Sequence, residues 1–485
     1  MLRVIVTVLT LVGKEGLPVK APDAVGMSSS RLEAIDRVVQ RGISAGGYPG
    51  ASVVVGRKGA TVWEKGFGKL SWSPVSRRVD AERTIYDIAS LSKVVGTTTA
   101  IMILYDEKKV DLDAPVFRYL PAFSGGLKDR VTVRELLTHR SGLPAGRDLW
   151  RVAHSPQEAR DMVLTTQLAY APDRVYIYSD LGADLLGMIV EKVSGERLDR
   201  FLERRVFGPL GMRDTFYRPA DSVRYRIAPT ELTPPRGYPL QGEVHDENAY
   251  ALGGIAGHAG LFSTAADLSI FAQMMLSGGT YDGVHIVSEP TVGLFIRRTA
   301  GHRALGWDTA DGDDGSGRYL TERAYGHTGF TGTSIWIDPD REMFVILLTN
   351  RVHAAKARHP GKIIMDVRAD LSDAAVLAVV DGPTPMLAMP DAFRSDREIG
   401  WNTRIKPVRC SAVKSRRGKS VRSRRSRARV SCALASRRAS SSKSAKNRSA
   451  KSRSAVKKKK VTSSSKRVSS KSSVAKKTSA KSKRK

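Results

Sequence analysis

The sequence is poor in cysteine, in acidic residues at one end, and in long apolar runs. Of its 485 residues only Cys410 and Cys432 are cysteines. Both lie near the carboxyl end, so the body of the chain has no thiol for a nucleophile, a cysteine-ligated metal or a structural disulfide. Residues 403–485 contain no Asp, Glu, Phe, Trp, Tyr or His, against 32 Lys or Arg. A segment of this composition cannot bury enough apolar surface to offset its ordering entropy, and we expect a disordered tail over 403–485. The apolar run at residues 4–12 is too short to span a bilayer, though long enough for the core of a secretion signal.

These absences relocate the charge. The formal net charge is +32, which taken alone suggests a nucleic-acid binder. All of it belongs to the tail, because residues 1–402 carry 48 charges of each sign. With 41% hydrophobic residues, the neutral body is long enough for a sizeable core.

Local patterns indicate an α+β body. A helix is expected near residues 30–42, then strands at 51–56 and 61–65 turned by Arg57, Lys58 and Gly59. Apolar groups recur at helical spacing from Leu91 to Tyr105, with Ser90 at the helix start. Residues 115–275 are richer in helical patterns. One of these runs from Leu181 to Val193, with Ser179 or Asp180 as cap and Gly195 as stop, and another ends at Leu276. Residues 333–337 and 343–348 read as a second hairpin. Strands at both ends with helices between imply an antiparallel sheet flanked by helices and carrying a helical insertion. The expected organisation is a leader or signal segment at 1–25, one domain at 26–385, a linker at 386–402 and the tail.

The chemistry is concentrated in Ser90-Leu-Ser-Lys93, which puts a hydroxyl and an amine at i and i+3 on one helix face. A serine hydroxyl is a weak nucleophile until a neighbour removes its proton, and a lysine does so only when its pKa is brought down from about 10.4. The spacing itself is weak evidence, since Ser411-Ala-Val-Lys414 and Ser454-Ala-Val-Lys457 repeat it in the tail. Context distinguishes the first match, which follows a hairpin, opens an apolar-periodic helix, and is accompanied by Tyr176-Ile-Tyr178-Ser-Asp180 and by His327-Thr328-Gly329-Phe330.

With these three elements in order, the sequence resembles the serine β-lactamase and penicillin-binding-protein superfamily, in its esterase-like branch. Leu136-Leu-Thr-His-Arg-Ser-Gly-Leu-Pro144, Gly257-His-Ala-Gly-Leu-Phe-Ser263 and Ile337-Asp-Pro339 carry the same resemblance, which covers about residues 26–385. It implies a β-lactamase/transpeptidase-like fold and an acyl-enzyme route, with Ser90 as nucleophile, Lys93 as base and Tyr178 as a second proton-transfer group. It also implies an oxyanion site at the Ser90 and Phe330 amides, with Asp180, His327, Thr328 and Gly329 on the substrate side and Gly329 letting substrate approach an edge strand. Many relatives have Tyr-x-Asn and Lys-Thr-Gly where this chain has Tyr178-Ser-Asp180 and His327-Thr-Gly329. His327, neutral at pH 7, and the negative Asp180 argue for esters or amides without an obligatory carboxylate, with a D-amino-acid cell-wall peptidase or weak β-lactamase as the alternative.

Other residues receive plainer readings. His139 is expected to organise its loop, His258 to pack beneath the site, and His245, Asp246 and Glu247 to form a hydrogen-bonded loop rather than a metal centre. No metal or cofactor is expected. The partners expected are a small ester or peptide substrate and, through the tail, a polyanion: envelope polymer, anionic lipid or nucleic acid. A rival reading is a polyanion-binding protein of little turnover. Export to the periplasm or envelope is expected, with the cytoplasm as alternative.

Overall fold

A computed structural model describes residues 16–396 except 233–234, 300, 313–314, 354 and 383–385. The apolar run at 4–12 and the basic tail lie outside the described residues. The first hairpin joins β1 (Gly50–Arg57) to β2 (Ala60–Gly68). Its turn is Lys58-Gly59, both at positive φ (47° and 78°), the conformation that matches a two-residue turn to the twist of its strands. Further along come β3 (Tyr86–Asp87), β4 (Phe216–Tyr217) and β5 (Leu261–Ser263), which form a small sheet with β5 in its centre. A short hairpin of β6 (Thr280–Tyr281) and β7 (Val284–His285) precedes β8 (Asp308–Thr309), β9 (Tyr325–Thr328), β10 (Ser334–Asp338) and β11 (Met343–Thr349).

The main sheet is antiparallel, in the order β2-β1-β11-β10-β9-β8. It closes the two ends of the chain on each other, with Ala51 opposite Thr349. Its central strands are buried on both faces and read as apolar runs, and the two-residue period divides their side chains between two cores. Val53, Val55, Val345 and Leu347 pack with Val38 and Val39 of helix Ala34–Ser44 and with Ile363 and Val367 of helix Pro360–Leu377. Val54, Phe344, Ile346 and Leu348 face the larger core under the helical insertion, with Val94, Ile101 and Phe271.

The helix boundaries follow capping chemistry. Ser179, not Asp180, caps helix Asp180–Ser194 by accepting the Gly182 N–H, and Gly195 ends it in the left-handed conformation. Thr264 caps helix Ala265–Leu276 by accepting the Asp267 N–H.

The packed unit is wider than the expected 26–385. Leu17 is buried in the larger core, and the Lys20 and Thr61 N–H groups bond the Thr61 and Pro18 carbonyls, covering the free edge of β2. At the other end Phe393 is buried and the Arg394 N–H bonds Asp370. Segments assigned to a leader and a linker thus complete a sheet edge and a helix face. Among the described residues no helix is long and apolar enough to cross a membrane.

Candidate active site

The site is built on the turn that leaves β3. Ala89 has φ 48°, unusual for a residue with a Cβ, and its N–H is taken by the buried Asp87 carboxylate at 2.8 Å. The same carboxylate accepts the His245 N–H at 2.7 Å. Beyond it, the N–H groups of Leu91, Ser92 and Lys93 bond carbonyls three residues back. The helix expected from Leu91 begins there and runs on as a π-helix over Lys93–Thr98 and an α-helix over Thr99–Asp106. Ser90 sits half-exposed on the turn.

Lys93 is buried beside it, and its Nζ has three oxygens in range: Ser90 Oγ at 3.0 Å, the His258 carbonyl at 3.0 Å and Asp180 Oδ1 at 2.7 Å. An ammonium has three N–H donors, and each finds an acceptor. Burial acts to lower the pKa of Lys93, but Asp180 and Tyr178 outweigh it and hold the amine above the ordinary lysine value. Asp180, expected on the substrate side, is therefore the counter-ion of Lys93. In this resting arrangement Lys93 is a cation.

Tyr178 lies on the loop entering helix Asp180–Ser194, with its ring 4.9 Å from Lys93 Nζ, 4.5 Å from the His139 ring and 5.3 Å from the Arg303 guanidinium. Its hydroxyl is buried and, though in standard hydrogen-bond geometry with no group among the described residues, lies near enough to Lys93 to help hold the ammonium. His139 does organise this loop: its Nδ1 accepts the Ser179 N–H at 3.1 Å and its carbonyl accepts the Ile177 N–H. Burial, then Arg303 and Lys93, push its pKa well down.

His327, on β9, holds its ring against its own strand. Nδ1 lies 2.8 Å from the Thr328 carbonyl and so carries the proton, leaving Nε2 buried and without a hydrogen bond. Burial, followed by Arg303 and Lys93, keeps its pKa well below the usual histidine value, and the ring is neutral as expected.

Gly329 lines the cleft, and packing also requires it. A Cβ there would lie 2.1 Å from Thr333 Oγ1 and 2.6 Å from the Ile88 carbonyl, so glycine is needed where this loop packs on the turn before Ser90. β8 pairs with β9 at Tyr325 and Gly326, so the outer side of His327 and Thr328 has no strand partner among the described residues. Arg368 fastens the loop by donating to the Gly329 and Thr333 carbonyls at 2.6 and 2.8 Å. Phe330, 62% exposed, stands between the His245 ring and the Arg351 guanidinium. The Ser90 and Phe330 N–H groups make no hydrogen bond to the described residues.

Ser90, Tyr178, His327, Thr328, Gly329 and Phe330 line one cleft of about 470 Å³. Tyr176, Arg303, Asp308, Thr328 and Met365 are shared with an adjoining lobe of about 650 Å³. A larger cavity of about 820 Å³, walled by Trp150, Arg218 and Tyr250, contains none of these reactive groups. The smaller cleft is where the Ser90 hydroxyl and the Lys93 amine meet. Around it stand residues that sequence reasoning missed: Asp87, Asp184, Arg303, Arg351 and Arg368. Asp87 lies two residues from Ala89, which it holds, and the other four are distant in sequence from Ser90. Of the candidate metal loop, His245 Nε2 lies 3.1 Å from Glu231 and Asp246 pairs with His258. Among the described residues no cluster of three metal-ligating side chains occurs.

The family model described as Beta-lactamase matches residues 35–368, most of the described fold. The chain belongs to the Beta-lactamase family. It is 35% identical over 367 residues to an N-acetylmuramyl-L-alanine amidase of Bacillus subtilis strain 168, covering 67% of this chain and 82% of that protein. It is 33% identical over 381 residues to a putative D-alanyl-D-alanine carboxypeptidase of Salmonella schwarzengrund, covering 70% and 87%. A penicillin-binding protein homolog from Caulobacter crescentus shares the fold with TM-score 0.59 and 21% identity, over 73% of this chain and 99% of that one. The Beta-lactamase family comprises serine hydrolases, and the sheet and helices described above are its β-lactamase/transpeptidase-like fold.

Proposed function

We propose that the protein hydrolyses an ester or amide through an acyl-enzyme on Ser90. The observation carrying this reading is the 3.0 Å contact between Ser90 Oγ and Lys93 Nζ at the mouth of the cleft. Ser90 Oγ bonds the substrate carbonyl carbon, and the Ser90 proton passes by way of Lys93 and Tyr178 to the leaving group. The oxygen left negative in that step rests between the free Ser90 and Phe330 amides. Water then attacks the acyl carbon and releases the acid. Because resting Lys93 holds three protons, one must pass to bulk water before the amine can accept that of Ser90. In the attack step Tyr178 takes that proton from Lys93 at its oxygen while its own hydroxyl proton goes to the leaving group.

The cleft favours an extended, polar substrate. It continues past Ser90 into a lobe lined by Arg140, His302, Asp308 and Asp311. That supports a second reading, an amide in a cell-wall peptide, in keeping with the activities named for the two relatives. We also propose export to the cell envelope, where the basic tail would hold the enzyme to anionic polymer. Removal of the leader must then leave Leu17 in place, since that residue fills the core.

The deciding experiment is intact-mass analysis after exposure to a fluorophosphonate and, separately, to benzylpenicillin, with turnover of an activated ester followed in parallel. A fluorophosphonate adduct on Ser90, lost in Ser90→Ala together with turnover, is the expected result. Penicillin on Ser90 favours the peptide reading. Undiminished hydrolysis by Ser90→Ala refutes the proposal, and no adduct from either reagent favours the tail-anchored binding protein.

A further inference from the structure

The third acceptor of Lys93 is a main-chain carbonyl, so the aim of the ammonium depends on how the peptide at 258 is held. The segment around it is threaded between the helix that carries Lys93 and helix Asp180–Ser194. Gly257 leaves no room for a side chain, since a Cβ there would lie 2.0 Å from the Ala183 carbonyl. Thr97 Oγ1 donates to the Gly257 carbonyl at 2.6 Å, and the Leu261 N–H bonds Ser92 Oγ at 3.1 Å. These contacts fix the segment's path.

The His258 side chain is clamped at both ends. Nδ1 lies 2.7 Å from Asp184 Oδ1 and Nε2 lies 2.9 Å from Asp246 Oδ1, and the ring is buried. A neutral imidazole has one N–H and one lone pair, so a ring facing a carboxylate on each side is an imidazolium. Burial works against that charge, and the two aspartates more than restore it. Asp184 follows Asp180 by one helical turn, so one helix face holds both cations, Lys93 by Asp180 and His258 by Asp184. Asp246 ties in the 245–251 segment, where it also caps the helix Glu247–Ala251.

We propose that His258 is a positioning residue for the reaction at Ser90: bridging Asp184 and Asp246, it orients its own carbonyl to hold the Lys93 amine against Ser90 Oγ. It touches neither substrate nor nucleophile. Removing it lets the 258 carbonyl turn away and leaves Lys93 with two fixed acceptors, displacing the amine from Ser90. A displacement of about 1 Å at a reacting pair costs roughly a hundredfold in rate.

The inference rests on the Ser90 and Lys93 reading, so it is tested on an activity first shown to vanish in Ser90→Ala. His258→Gln keeps an amide donor for one aspartate. The expected result is a kcat lower by about tenfold to a hundredfold with KM changed less than about threefold. A folded His258→Gln protein with kcat within about twofold of the parent overturns the proposal. The unaltered protein gives an independent readout by ¹⁵N NMR, with the ring assigned through its own backbone amide. Two protonated ring nitrogens from pH 5.5 to 8 are expected, and loss of a ring proton near the ordinary histidine pKa of about 6.5 would remove the bridge on which the proposal stands. Persistence of turnover in Ser90→Ala counts against the catalytic reading alone, because the NMR measurement does not depend on it.

Discussion

Asp180→Asn isolates the charge that keeps Lys93 protonated. Asparagine keeps an oxygen where Asp180 Oδ1 accepts from Nζ at 2.7 Å, and Ser179 rather than Asp180 caps the helix, so the local geometry should survive. What disappears is the Coulombic attraction. At 2.7 Å it is worth about 6 kcal/mol at an effective dielectric of about 20 and about 1.5 kcal/mol in water, or roughly one to four pH units on Lys93. Asp180 has a side chain 33% exposed, and solvent screening places the expected fall in the Lys93 pKa at the lower end, about one to two pH units. If catalysis requires neutral Lys93, kcat/KM rises with pH until that group has lost its proton. Lowering its pKa moves this acidic limb to lower pH, and where the limb is steep the variant gains about tenfold for each pH unit that the limb moves. The assay is the pH profile of kcat/KM for an activated ester between pH 5 and 10, with circular dichroism at each end. An unmoved limb, or one displaced to higher pH in a folded variant, refutes the assignment of Lys93 as the base that must be neutral.

Acid should destabilise the site through His139 and His327, whose folded pKa values are depressed. Below about pH 6.5 the unfolded chain takes up protons that the buried rings refuse, so stability present above that pH is lost as pH falls, at up to about 1.4 kcal/mol per pH unit for each ring. Urea unfolding at pH 7.5 and 5.5 measures the difference, and the same slope in His139→Asn and His327→Asn proteins refutes the assignment. Gly329→Ala should lower kcat by at least about tenfold, because its Cβ meets Thr333 and the Ile88 carbonyl and moves the Phe330 amide; wild-type kcat in a folded variant rejects that reading. Deleting residues 403–485 should leave ester hydrolysis unchanged and abolish salt-sensitive retention on heparin, and retention that persists places the polyanion site elsewhere.

What was legible in the sequence was local. The Lys58-Gly59 turn, the Ser179 and Gly195 caps and the apolar runs of β1 and β11 are each set within a few residues, and each could be read before the fold was known. Ser90, Lys93, Tyr178 and His327 stood out by spacing and order, and the fold brings them together. The charge state of Lys93 was not legible, because it depends on three oxygens supplied from positions 90, 180 and 258. A Ser-x-x-Lys spacing says that a hydroxyl and an amine can meet, but not whether the amine carries two protons or three. Asp180, outside that spacing, bears on it by its charge. Gly329 marks the same boundary from the other side. Its motif neighbours suggested a place for substrate, and it does line the cleft, but the need for glycine comes also from Ile88 and Thr333, two segments that meet only when the sheet closes. Chemistry at Ser90 is therefore expected to respond also to substitutions that the motif does not contain, at Asp184, His258 and Arg368, where packing converts a spacing into a geometry.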